Sequence, residues 1–586
     1  MNFKSRTVVI YSMVLGKDGS DHLETVHKDV HLIPGEFAFP IIGRLIYSSR
    51  HLDISSLKLE MDVWVGKGSI NSQKYTELIH KSYKAHIDKN KLMVINLWSS
   101  YKLLELILEE NVHKSQSDEI TANTGEELLN IYLRLNEIFI AKTEKVWDSI
   151  PSDLPIFQRI AFHLTTSIIP YHDFTHVDTI VLLFVQFIKA SYLFRFMEEA
   201  LPIVLKAFLN KYHQDTWQMY LRAMMPVADH AMRAKGEGVG YLTIDENKPN
   251  ANILKAFLNN LSVGDSLTYD IQQDFVLLRS KPLMKINDTK FLVMDSVLVY
   301  NKFYNSLYFE FNKIIEESPS LFTKANFKGW YNENFSEAFL CNELLNYIFN
   351  KHQYIKWPGI KVKKEYSKSK GEPDYYSRTG NNILLFELKD SLIKGNTKQS
   401  FDYKEVEKEL REKFWYYDYI DEKGKSKVNS KAVRQLKNSV KSILSKSFMF
   451  DQEYESNDLI IYPILLFLDR SLDTPGVNDI LNHWFQIELA NDSFIVQSKA
   501  TIMPLTTIDF DTLVQYQDVL SDNDLILEKL IPTYWNWKQH FIEKGTYKHS
   551  AEIVGKGMIS FSAFLKENFP LNKEPKVFLE IAKKLF

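Results

Sequence analysis

Residues 371–389 constrain this chain more than any other stretch. Gly371-Glu372-Pro373-Asp374-Tyr375-Tyr376-Ser377 is followed by Arg378-Thr379-Gly380-Asn381-Asn382, and then by Ile383-Leu384-Leu385-Phe386-Glu387-Leu388-Lys389. The middle run is a turn signal. The runs beside it have strand composition. Together they predict a β-hairpin. A two-residue turn at Gly380-Asn381 and a four-residue loop over 379–382 give the same register. In either case Arg378 faces Ile383, Ser377 faces Leu384, Tyr376 faces Leu385 and Asp374 faces Glu387. Alternation puts Ile383, Leu385, Glu387 and Lys389 on one face and Leu384, Phe386 and Leu388 on the other. Both faces are apolar until the end, which predicts a central strand buried on both sides.

This register has a chemical consequence. Directly opposed residues hold their Cβ atoms about 4.5–5.5 Å apart, and two carboxylates so placed repel. A divalent cation removes the conflict, because hard cations take carboxylate oxygens. Lys389 emerges beside Glu387, where an ammonium can position a water and offset charge on a phosphate. A third carboxylate comes from a helix predicted over 334–349. There Leu340, Cys341, Leu344, Leu345 and Ile348 follow Glu337 at helical spacing, so Glu337 lies in line with the buried stripe. A glutamate facing inward needs a partner. Glu333, one turn earlier, is the alternative.

Glu337, Pro373-Asp374 and Glu387-Leu388-Lys389 together resemble the signature of the PD-(D/E)XK nuclease superfamily, over roughly 330–480. The resemblance implies an α/β chain with a restriction-endonuclease-like mixed β-sheet core flanked by helices. It implies Mg²⁺, with Mn²⁺ as a substitute, held by Asp374, Glu387 and the backbone carbonyl of Leu388, with Glu337 completing the shell. It implies hydrolysis of nucleic-acid phosphodiesters, DNA foremost, with Lys389 orienting or activating the attacking water. In many members the helix after the ExK strand carries Gln, Lys or Arg near the scissile phosphate, which makes Gln435 the counterpart here. By analogy alone, the long region ahead of the site fits restriction or antiviral defence against foreign DNA. The rival readings are a non-catalytic nucleic-acid- or protein-binding module on the same fold, a nuclease acting on RNA, and a structural one. In the last, Asp374 caps a turn and Glu387 and Lys389 form a solvated ion pair.

A phosphate backbone needs local positive charge, because the 586-residue chain has a net charge of −3. Lysines at 351, 356, 361, 363, 364, 368 and 370 surround a single acid, Glu365. After the hairpin, 423–446 carries Lys423, Lys425, Lys427, Lys431, Arg434, Lys437, Lys441 and Lys446 with no acid. In the helix predicted from Lys431 onward, Val433, Leu436, Val440, Ile443 and Leu444 form the buried stripe. Lys431, Arg434 and Lys441 share the opposite side, with Gln435 beside them. The next core strand is expected at 460–468, with Pro463 near a strand start or at an edge, and with Asp469 and Asp473 serving the turn after it.

The rest divides by pattern into a mixed, β-biased region (1–118) with strands expected at 7–15, 56–65 and 91–98, and a helical region (119–238). A connecting α/β region (239–329) has strands expected at 275–278 and 291–294, followed by a helix at 303–316. The nuclease-like region (330–500) and a mostly helical end (501–586) complete the chain. A length well past the ~250–300 residues at which single cores stop growing predicts several domains. With 45% hydrophobic and 25% charged residues the composition is that of a globular protein. The apolar run 8–15 reads as a first strand, not a leader. The run from Ile180 to Met197 is interrupted by Gln186, Lys189 and Arg195, which predicts a buried helix and no membrane span. The single cysteine, Cys341, excludes an intrachain disulfide and a cysteine-based zinc site, and fits the cytoplasm. His172 and His176 have helical metal-ligand spacing, but Pro170 and Asp173 favour a loop. Nucleotide-binding loops and a serine-hydrolase elbow are missing from the sequence. The expected partners are DNA and, through the first 330 residues, a second copy or another protein.

Overall fold

The computed structural model describes residues 7–17, 21–33, 35–51, 57–65, 70–83, 92–110, 124–175, 177–232, 240–264, 269, 272–366, 371–420, 425–455, 458–522, 525–547, 551–571 and 574–585. The molecule is mixed α/β, with many helices around several sheets. The largest sheet has six strands: β1 (Ile355–Pro358), β2 (Tyr375–Thr379), β3 (Asn382–Lys389), β4 (Ile460–Phe467), β5 (Thr501–Ile502) and β6 (Thr506–Asp509). From β1 to β4 the strands lie in sequence order, and β5 and β6 share the far side of β4. The pairs β1–β2 and β2–β3 are antiparallel. β4 is parallel to β3 and to β5 and β6. One continuous helix, α1 (327–348), precedes the meander. Helix α2 (Ala432–Leu444) lies on the crossover from β3 to β4, and α3 (Val477–Ala490) follows β4.

The hairpin has the expected register, with Tyr376 paired to Leu385, Ser377 to Leu384 and Arg378 to Ile383. Thr379 pairs with Asn382, which selects the two-residue turn. Gly380 sits at φ +56, a left-handed conformation that such a turn requires and glycine adopts without a Cβ penalty. From Ile383 to Leu388 no residue of β3 is more than 3% exposed. Ile383 and Leu385 enter one apolar core beside Ile461 and Leu465. Leu384, Phe386 and Leu388 enter a second core beside Tyr462, Ile464 and Leu466. The first core recruits side chains from Val9 to Phe174. The second takes up most of those from Leu182 to Phe349 and from Ile508 to Leu585, while Val263, Phe275, Leu278, Met284 and Leu292 and, near the end, Val554 and Met558 join the first. The sheet is thus the wall between two cores, and each core draws on several of the segments distinguished in the sequence.

Several short apolar runs depart from the expected strands. Residues 57–65 are helical, and Leu57, Met61 and Trp64 are buried at helical spacing. Of 7–15, only Thr7–Val8 is strand and Tyr11–Leu15 is helix. Among the described residues of 91–98, which begin at Leu92, only Leu92–Met93 is strand before a helix begins at Leu97. Residues 275–278 lie in helical turns. Periodicity cannot separate a buried strand from a buried helix in runs this short. Lys290–Val293 is a strand and Leu307–Glu317 a helix, close to expectation. The helices of 124–232 and of the C-terminal end also follow the pattern. Thr179–Ala200 is long and apolar enough to cross a membrane, with a mean hydropathy of 1.6 in its most apolar window, and 67% of that window is buried inside the protein. Within it Lys189 is fully buried and pairs with Asp511 at 2.5 Å.

Pro463 departs from expectation in an instructive way. It lies in the interior of β4 and pairs with Leu385. On the other side of β4, pairing stops after Ile461 with Ile502 and resumes at Ile464 with Thr506. Proline has no N–H to donate, and the neighbouring strand is broken into β5 and β6 at that point.

Candidate active site

The chain leaves the sheet together at the start of β2 and the end of β3. Asp374 immediately precedes Tyr375, whose partner is Phe386, so one further step in register sets Asp374 opposite Glu387. Asp374 Oδ2 accepts the backbone N–H of Leu388 at 2.8 Å. Within a strand the N–H and C=O of one residue face the same neighbour, so the Leu388 carbonyl is directed to the side of Asp374. Glu387 is only 3% exposed and accepts from Lys389 Nζ at 2.6 Å. The two side chains share a face of β3, as alternation requires.

Glu337 approaches from α1. From Asn332 to Cys341 this helix is wound as a π-helix, with ordinary α-helix on either side. Such segments are rare and recur at functional sites. Here it carries Glu337 and also Ser336, whose hydroxyl donates to Asp390 Oδ2 at 2.6 Å, while Asn332 Nδ2 donates to the Asp390 carbonyl at 3.1 Å. Asp390 directly follows Lys389, so α1 is fastened to the end of β3. Glu337 is half-buried and Glu333 exposed, so Glu337 is the inward member of the two.

The charges are coupled. Burial, and then Asp374, push the Glu387 carboxyl up to about 8 against the pull of Lys389. Burial and Asp374 likewise push Glu337 up to about 7, against Lys389 and Lys363. Burial opposes the charge of Lys389, but Glu387 and Asp374 outweigh it and hold the ammonium above its ordinary value. Three carboxylates and one lysine therefore share one partly desolvated locus with more negative than positive charge. The oxygens that a hard divalent cation would take here are those of Asp374, Glu387, the Leu388 carbonyl and, from α1, Glu337. Among the described residues no group of three or more His, Cys, Asp or Glu side chains is arranged to hold a metal ion, this one included. Leu388 N–H and Lys389 Nζ engage Asp374 and Glu387 instead.

Two supporting residues escaped the sequence reading. Gly359 donates its N–H to the Asp374 carbonyl at 2.8 Å, and a Cβ there would lie 2.8 Å from the Pro373 carbonyl oxygen and 3.0 Å from that of Asp374. Its place in Trp357-Pro358-Gly359 was the available signal. Asp390 gave none, because its role depends on the approach of α1.

The basic helix is placed differently from expectation. Arg434 Nε pairs with Glu488 of α3 at 2.7 Å, and Lys437 and Lys441 both pair with Asp492 at 2.8 Å. Lys431 stands over the ring of Tyr417, with Nζ 5.0 Å from the centroid. Arg434 and Lys441 thus serve a seam between helices instead of an open basic face. Gln435 lies one turn before Ser439, which donates to the Gly371 carbonyl at 3.1 Å, so it stands on the side of α2 that meets the 371–374 segment. His172 is in a turn, and His176 lies outside the described residues. Asp469 caps the turn after β4 through Ser471 N–H at 2.9 Å, as expected. No family model, curated protein or solved structure matches this chain.

Proposed function

We propose that the chain is a Mg²⁺-dependent phosphodiesterase acting on DNA, with Asp374, Glu387, Lys389 and Glu337 at its centre. The observation that carries this reading is the pairing of Asp374 with the Leu388 N–H beside the Glu387–Lys389 contact, at the mouth of a sheet buried on both faces. A mixed sheet flanked by helices, with the carboxylates at the ends of adjacent strands, agrees with the restriction-endonuclease-like fold that the signature implies. When bound, Mg²⁺ would act as a Lewis acid on the phosphate and lower the pKa of a water.

The protein's own residues do the rest. Asp374 and Glu387 supply anionic oxygens at positions fixed by the hairpin. Lys389, confined by burial and by Glu387, is placed to orient a water and to offset charge on the scissile phosphate. Glu337 would add a carboxylate oxygen from the π-wound part of α1. Defence against foreign DNA is the context proposed by analogy. The test is incubation of the purified chain with plasmid, linear and single-stranded DNA, in Mg²⁺ or EDTA, beside Lys389→Ala and Asp374→Ala. Metal-dependent cutting that both variants lose supports the reading. Cutting that survives both substitutions, or none in any condition, counts against it.

A further inference from the structure

Between β3 and α2 the chain makes a separate two-stranded antiparallel ribbon, Tyr416–Ile420 with Ser426–Ser430, which joins no other sheet. Tyr417 pairs with Asn429, Tyr419 with Lys427 and Ile420 with Ser426. Outward from Asp418 the first strand is fully exposed, and the second is exposed except for a half-buried Asn429. An isolated hairpin is marginally stable in water, so this one needs a firm base. Lys431 N–H closes it on the Trp415 carbonyl at 2.9 Å. Trp415 stacks on Trp484 of α3 at 5.1 Å and donates to Glu488 at 2.8 Å. Arg434, bound to the same Glu488, lies 4.0 Å over the Tyr416 ring. The base is also tied to the candidate site: Lys413 Nζ donates to the Leu392 carbonyl at 2.6 Å, three residues past Lys389.

The two faces of the ribbon differ in chemistry. One presents Tyr417 and Tyr419, with ring centroids 5.9 Å apart, together with Lys427, Asn429 and Lys431. The other carries Asp418 beside Ile420 and Val428, the latter two 75% and 51% exposed. The first combines cations for phosphates with aromatic edges for bases, and the Asn429 amide donates to the Tyr417 hydroxyl at 3.0 Å.

Resting on the nuclease reading, the geometry points to a substrate class: this ribbon enters the major groove of double-helical DNA and seats the duplex against Asp374 and Glu387. Five residue pairs reach about 17 Å. The B-form major groove is about 12 Å wide and 8.5 Å deep and admits a two-stranded ribbon. The major groove of A-form RNA is too narrow for side chains to read, and a single strand offers no groove.

The experiment is fluorescence anisotropy of the full chain in EDTA, where binding is read without cutting. The probes are a labelled DNA duplex, its single strand and an RNA duplex. One variant joins Tyr419→Ala to Lys427→Glu, and another joins Ile420→Ser to Val428→Ser. The DNA duplex is expected to bind best. The first variant should weaken it about 10-fold or more and lower the salt slope by about 1. The second should leave it unchanged, and netropsin, which fills the minor groove, should not displace the protein. Equal or tighter binding of the single strand or RNA, an unaffected first variant, an equal loss in the second, or displacement by netropsin would each overturn the assignment. A chain that binds duplex DNA through the ribbon yet never cuts in Mg²⁺ would sink the nuclease reading alone.

Discussion

The carboxylate of Asp374 caps the backbone N–H of Leu388, so the residue proposed to hold a metal also helps hold the hairpin in register. The two roles can be separated. Asp374→Asn keeps an oxygen acceptor and loses the charge, whereas Asp374→Ala loses both. Cleavage should fall at least about 100-fold in each. Only the alanine variant should also lose stability, by about 1–3 kcal/mol, because a backbone donor is left unsatisfied. Cleavage rates and urea denaturation of the two proteins, side by side, check this. Equal stability loss in both would mean that the charge, not the hydrogen bond, is the structural element.

Gly359 sets the position of Asp374 without touching any reacting group. A methyl group there meets the carbonyl oxygens of Pro373 and Asp374 at 2.8 and 3.0 Å, the first closer than Cβ atoms approach in folded proteins and the second at the tight limit. The backbone must move, and the segment that moves carries Asp374. Gly359→Ala should cost about 1–3 kcal/mol and weaken Mg²⁺ binding measured by calorimetry. A variant with unchanged metal affinity would show that Asp374 is positioned by the hairpin alone.

The hairpin was legible because its signals are local. Gly380-Asn381 sets the turn, alternation sets the faces, and the register then follows by counting. Glu337 was legible because helical spacing relates it to a buried stripe. The ion pairs of Arg434 and Lys441 were not, because their partners, Glu488 on α3 and Asp492 just beyond its end, lie about 50 residues away in a segment whose packing no local pattern encodes. Residues 57–65 misled for another reason. Their apolar run suits either strand or helix, and the deciding contact is distant: buried Glu60 accepts the N–H groups of Val94 and Ile95 at 2.7 and 3.2 Å. Pro463 needed the broken edge between β5 and β6, which only the assembled sheet shows.

Glu105 gives a pH test away from the candidate site. It is 4% exposed, one of its oxygens lacks a hydrogen-bond partner, and burial pushes its carboxyl up to about 8 against the weaker pull of Lys102. A carboxyl raised by folding binds its proton more tightly in the folded state. Its contribution is therefore fully present below the unfolded pKa of about 4.3 and is lost as pH rises toward 8. Glu105→Gln, which cannot ionise, should gain on the wild type across that window and then level off, by at most about 5 kcal/mol. Melting curves of both proteins from pH 4 to 9 measure the difference. A constant difference would mean that Glu105 keeps its ordinary ionisation.

The Glu387–Lys389 contact invites the structural reading, in which a buried ion pair does no chemistry, and stability and activity together decide between the two. Lys389→Ala strips the cation from a glutamate that is 3% exposed, and breaking such a pair costs about 3–5 kcal/mol. Uptake of a proton by Glu387, raised by burial and by Asp374 and freed in this variant from the pull of Lys389, should soften that loss. The double variant Glu387→Met with Lys389→Met removes both charges at nearly constant volume, and replacing a buried pair by apolar groups in this way is often neutral. It should recover most of the stability lost in Lys389→Ala. As a metal ligand and a water-positioning lysine, however, the pair cannot be replaced by neutral groups. The double variant should stay inactive, and Mg²⁺ should no longer raise its melting temperature as it raises that of the wild type. Recovered stability with recovered cleavage would assign the pair to structure and move the catalytic search to Glu337 and Asp374.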